Sequence, residues 1–109
     1  MEEEKIARLL INLFPPQEKE NLNIFVHKNE FIVINADLSN KKIRKYKGKV
    51  IKSKIVFSSE RGPQLSINTR HIKNTLMPNK IGEFKEYSVW TSSNNKEPFI
   101  LPLYELVKE

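Results

Sequence analysis

The sequence predicts an α+β fold: one N-terminal helix followed by a small, curled, mostly antiparallel sheet of five or six strands, with barrel-like closure as the extreme of that curl. Three observations carry this. An apolar stripe of helical period occupies the first fourteen residues and stops at Pro15-Pro16. Beyond it, apolar residues come in short alternating or β-branched runs separated by turn-forming residues. The chain has 109 residues, 39% hydrophobic and 29% charged, enough for one modest core and a single domain over 1–109.

The helix is predicted over Glu2 to Phe14. Ile6, Leu9, Leu10 and Leu13 recur at helical spacing. Glu2, Glu3 and Glu4 suit the positive end of the helix dipole, and Glu4 stands four residues before Arg8 in the favourable order. Pro15-Pro16 ends the helix, because proline disfavours helix in the residue before it and has no N–H to continue. Strands follow. Ile24-Phe25-Val26 and Phe31 to Ile34 flank a hairpin turn at His27 to Glu30, and Asp37 to Asn40 is turn chemistry. Val50 to Phe57 and Gln64 to Thr69 read as strands around a Ser58 to Pro63 linker. Arg70 to Met77 reads as a short helix before Pro78. Phe84 to Thr91 alternates as one strand, with Tyr87 and Trp90 on it. Pro98 to Leu103 reads as a final strand or the lead into a helical turn at Tyr104 to Lys108.

Several function classes are excluded early. There is no cysteine, so no disulfide framework and no thiolate metal site. The longest apolar runs, such as Phe31 to Ile34 and Ile55 to Phe57, are far too short to span a bilayer. Met1-Glu2-Glu3-Glu4 is acidic where a secretory signal needs positive charge. A cytoplasmic protein with no membrane partner and no cofactor is the expectation.

The feature that stands out is charge distribution. The formal net charge is +6, but residues 41–80 hold twelve basic side chains against one acid, Glu60, while both flanking segments are net negative. Lys41 to Lys54 is the centre of it: Lys41, Lys42, Arg44, Lys45, Lys47, Lys49, Lys52 and Lys54, with no acid among them. Lys45, Lys47 and Lys49 share one parity, so an extended strand projects them from one face and Tyr46 from the other. The parity changes after Val50-Ile51, which requires a turn or bulge there or at Gly48. Clustered like charge opposes folding by repulsion, and a polyanion would relieve it and release counterions. The competing reading is a lysine-guarded edge strand. Tyr46 is the candidate for stacking unpaired bases, and core packing is its competing role. Trp90 reads as core. Arg61, Arg70, His71 and Lys73 would extend the patch if the fold allows.

Catalysis needs convergent groups, and few are available. His27 and His71 are the two histidines and Asp37 the sole aspartate; Gly48, Gly62 and Gly82 are isolated. Glu83-Phe84-Lys85 has the acid-x-lysine form of metal-dependent nucleases, with only Asp37 as a distant partner acid. Lys80-Ile81-Gly82-Glu83-Phe84, after Leu76-Met77, resembles the Lys-Leu-Gly-Glu-Phe stretch near the end of the S-nineteen family of small-subunit ribosomal proteins. That resemblance implies ribosomal RNA binding. It covers under a tenth of the chain, Pro78 and Asn79 stand where the family has glycine and histidine, and the family's basic start is missing.

The leading expectation is therefore a small nucleic-acid-binding module making sequence-tolerant phosphate contacts, without catalysis and without a metal site. Its partner is RNA or single-stranded DNA ahead of specific duplex DNA, since neither a zinc finger nor a helix-turn-helix is present. The alternatives are a phage or viral regulatory factor docking its basic face on an acidic protein, and a small ribonuclease using His71, Arg70 and lysines.

Overall fold

The computed structural model describes residues 1–15, 20–37, 42–58 and 64–92. Its elements are α1 (Glu3–Leu13), β1 (Glu20–His27), β2 (Glu30–Asp37), β3 (Lys42–Ile51), β4 (Lys54–Phe57), β5 (Leu65–Asn68), a 3-10 turn at Thr69–His71, β6 (Pro78–Phe84) and β7 (Tyr87–Ser92). The strands form one antiparallel sheet in the order β5-β4-β3-β2-β1-β7-β6. The α+β architecture is thus the one expected, with seven strands rather than five or six. β5 and β6 stand at opposite edges, so the sheet is curled but not closed into a barrel.

α1 buries Ile6, Ala7, Leu9, Leu10 and Ile11 against one face of the sheet. Each fully buried leucine or isoleucine contributes about 1.5–3 kcal/mol. The sheet meets the helix with Leu22, Ile24 and Val26 of β1, Phe31 and Val33 of β2, Val50 of β3, Ile55 and Phe57 of β4, and Trp90 of β7. Curl brings even β3 and β4 to the helix end: Phe14 lies 4.9 Å from Tyr46 and 5.7 Å from Phe57, ring centre to ring centre. Glu3 helps dock the first turn as well as matching the helix dipole. Its carboxylate accepts from Ser88 Oγ (2.8 Å) and from the Lys28 backbone N–H (2.9 Å). Trp90 is core, as expected, and its indole N–H donates to Ser88 Oγ at 2.8 Å. A second apolar cluster (Phe25, Ile32, Ile34, Ala36 and Val89) lies on the opposite face.

Three segments differ from expectation, each for a physical reason. Val50 to Phe57 is not one strand: Lys52-Ser53 turns the chain back between β3 and β4. Likewise Lys85-Glu86 interrupts Phe84 to Thr91, and the residues before it form β6. Neither turn contains glycine, asparagine or proline. Lys52 and Lys85 adopt φ of 54° and 53°, and Lys28, in the anticipated hairpin, 55°. That left-handed conformation costs a non-glycine residue roughly 1–2 kcal/mol, so cross-strand pairing imposes it against local preference.

Arg70 to Met77 is not a helix beyond the single turn at Thr69–His71, where Asn68 Oδ1 accepts from the Arg70 N–H at 3.0 Å. The next backbone donors are taken by the helix. Asn12 Oδ1 accepts from the N–H groups of Thr75 (3.0 Å) and Leu76 (2.9 Å), while Asn12 Nδ2 donates to Leu76 O (3.1 Å). Those groups would have to bond internally in a helix. Asn12→Ala should therefore cost about 2 kcal/mol and speed amide exchange at Thr75 and Leu76. Urea unfolding and hydrogen exchange together check this, and a stability loss without faster exchange would contradict the anchoring role. The turn expected at Asp37 to Asn40 beyond Asp37 itself, most of the Ser58 to Pro63 linker, and both C-terminal elements fall outside the described residues.

Candidate nucleic-acid interface

The β3–β4 hairpin displays the basic segment. Residue pairing sorts its side chains between the two faces. Phe31, Val33 and Asn35 of β2 stand opposite Gly48, Tyr46 and Arg44, and this set faces α1 with Lys42. Ile32 and Ile34 stand opposite Lys47 and Lys45, and Glu30 opposite Lys49, on the face away from α1. Lys54 pairs with Ile51 and joins that second face, because the two-residue turn at Lys52-Ser53 preserves the pleat. Four lysines of the segment thus share one surface: Lys45, Lys47, Lys49 and Lys54. Lys47, Lys49 and Lys54 are exposed, and Lys45 is half-buried. Lys52 sits at the hairpin tip.

Alternate residues of a strand advance about 6.7 Å, so Lys45, Lys47 and Lys49 form an evenly stepped row. That step is comparable with the spacing of successive phosphates along an extended single strand. Strand pairing sets the acid Glu30 directly across from Lys49. The row is flanked by exposed Ile43 and Ile51 on the same strand and face.

The structure separates most of the remaining expected residues from this surface. Lys42 and Arg44 are exposed on the α1 side. Tyr46 packs into the cluster of Phe14 and Phe57, so it supports the core and not a stacking surface beside Lys45, Lys47 and Lys49. Lys41 and Arg61 fall outside the described residues. Arg70, His71 and Lys73 belong to the segment beside α1, where Arg8 Nη2 donates to Asn74 O (3.3 Å). Arg70 Nε also lies 3.4 Å from Asn68 Oδ1, and Asn68 is the cross-strand partner of Lys54, so Arg70 stands near the end of the lysine surface at Lys54.

The candidate catalytic groups stay apart. Asp37 ends β2, and Glu83 lies on β6 with β1 and β7 between them; Glu83 is ion-paired to Lys80 at 3.1 Å. His71 is exposed, and His27 Nδ1 donates to Glu86 O at 3.0 Å. Among the described residues no three His, Asp or Glu side chains converge as metal ligands, and no helix is long and apolar enough to cross a membrane.

A cleft of about 360 Å³ opens beside the row on the face away from α1. Lys47 and Lys49 form part of its rim, Ile32 and Val56 its apolar lining, and Tyr87 and Glu30 also line it. Sequence alone picks out Tyr87 as a strand aromatic but does not place it here. Glu30 carries no local signal at all, because its neighbourhood arises from the pairing of β2 with β3. The Tyr87 ring is braced edge-on by Phe25 (6.4 Å) and His27 (6.0 Å). Burial first, then the Glu86 and Glu30 carboxylates, hold its phenol above the usual value of 10.0, so it remains a neutral hydroxyl at physiological pH.

No protein-family model, curated protein or solved structure matches the chain.

Proposed function

We propose that the protein is a small nucleic-acid-binding module whose β3–β4 hairpin contacts the phosphate backbone, with no chemical step. The observation that carries this is the alignment of Lys45, Lys47, Lys49 and Lys54 on one face of the sheet, away from the helix. Residues 42–58 contain no acid, so Glu30 from β2 is the acid that pairing sets against this lysine row. Contacts of this kind position a backbone without reading bases, so binding is tolerant of sequence.

Salt dependence tests the reading. Four phosphate contacts give a slope of log affinity against log salt of about −3 for a single strand and about −4 for a duplex. Titration of labelled RNA and DNA oligomers across salt concentrations should return a slope in that range. A slope near zero, or no binding at low salt, would end the proposal. Capture of an acidic protein from an extract, undiminished by nuclease, together with absent oligomer binding, would favour the protein-docking alternative.

A further inference from the structure

We propose that the cleft beside the lysine row accepts one unpaired nucleotide of a single strand, with a preference for bases that carry an exocyclic amine. This rests on the phosphate-contact reading above and assigns the base, which that reading leaves unplaced. Three features of the cleft carry it. Its volume, about 360 Å³, lies within the range of small-ligand pockets. Its wall is divided in character: Lys47 and Lys49 are cationic, Ile32 and Val56 apolar, and Tyr87 aromatic. The same two lysines belong to the row, so a strand tracking the row brings a nucleotide to the cleft.

Each part of a nucleotide then meets a matching group. The phosphate meets Lys47 and Lys49. The base lies against the apolar lining and the Tyr87 ring, which Phe25 and His27 hold in place, so little side-chain freedom is lost on stacking. Glu30 decides the class of base. A carboxylate only accepts hydrogen bonds, so it favours the exocyclic amino groups of cytosine, adenine or guanine over uracil or thymine, whose single N3–H donor is flanked by two carbonyl oxygens that repel it. It also disfavours a ligand that is anionic throughout, such as inorganic polyphosphate. A duplex reaches the cleft only by extruding a base, which costs a few kcal/mol. Single strands are therefore preferred.

Short single-stranded DNA oligomers of equal length and charge separate the two layers: oligodeoxycytidine, oligothymidine and an abasic chain of deoxyribose phosphates. Fluorescence anisotropy of the full chain should show cytidine above thymidine, and both above abasic, with about tenfold between cytidine and abasic. Glu30→Gln should narrow the cytidine-to-thymidine ratio, and Tyr87→Leu should lower the affinity of the base-bearing oligomers toward that of the abasic chain. The wild-type ratios need no variant, so poor folding of Tyr87→Leu leaves the test intact. Equal wild-type affinity for all three would overturn the cleft assignment and leave the backbone contacts standing. Failure to bind any of them would overturn both.

Discussion

Gly48→Ala should lower stability by about 3 kcal/mol, a large effect for adding one methyl group. Gly48 is buried in the middle of β3, opposite Phe31 of β2 and Phe57 of β4. A β-carbon there would lie 2.3 Å from the Val56 carbonyl oxygen and 2.6 Å from Phe31 Cζ. Neither neighbour yields cheaply. Val56 O is backbone, and Phe31 is 1% exposed with its ring held against Phe57 at 5.5 Å. The added methyl must either push β4 away from β3 or displace the Phe31 ring from the core. Urea unfolding should show a lower midpoint with little change in slope, the mark of altered native stability. A loss below about 1 kcal/mol would mean that the two strands have room to spare, and that the glycine serves something other than their close approach.

The legibility of this chain follows the range of the interactions involved. α1 was readable because its stripe of Ile6, Leu9 and Leu10 is local, and the β1–β2 hairpin because apolar runs flank Lys28-Asn29. The shared face of Lys45, Lys47 and Lys49 followed from strand periodicity alone. The parity change after Ile51 points to a turn or bulge at Gly48 or Val50-Ile51, whereas the chain turns one residue later, at Lys52-Ser53, where Lys52 takes a positive φ that no glycine or asparagine announces. β6 was hidden for a related reason. Its pairing with β7 shifts register between Lys80 and Gly82, so no clean alternation marks it. Asn12 did leave a trace, a polar residue set inside an apolar helical run. Its partners Thr75 and Leu76 lie more than sixty residues away and could not be inferred. The same holds for the inward packing of Tyr46, which depends on Phe14 arriving from the far end of the helix. The cleft combines β2, β3, β4 and β7, and nothing short of the pairing order brings Tyr87 and Glu30 near Lys49.

Reversing Lys47 and Lys49 to glutamate should abolish binding to RNA and DNA alike at low salt, whereas reversing Lys42 and Arg44 should leave most of it. The two double variants change net charge by the same amount on the same strand. They differ in face: Lys47 and Lys49 point away from α1, Lys42 and Arg44 toward its side. Uniform attraction by a basic protein would predict equal losses, so the contrast isolates the surface from the overall charge. All four side chains are exposed, so the fold should survive in both variants. Each reversal sets one pair of like charges face to face, Lys49→Glu with Glu30 and Lys42→Glu with Asp37, a cost of about 0.2–1 kcal/mol that a thermal melt would register as a similar small shift in both. Neutral replacement avoids it. Lys47→Gln with Lys49→Gln removes two phosphate contacts and should flatten the salt slope by about 1.4 for a single strand and about 1.8 for a duplex. Equal weakening by the two reversals would reduce the interaction to net charge. Retained binding after reversal of Lys47 and Lys49 would remove this face of the sheet as the contact surface.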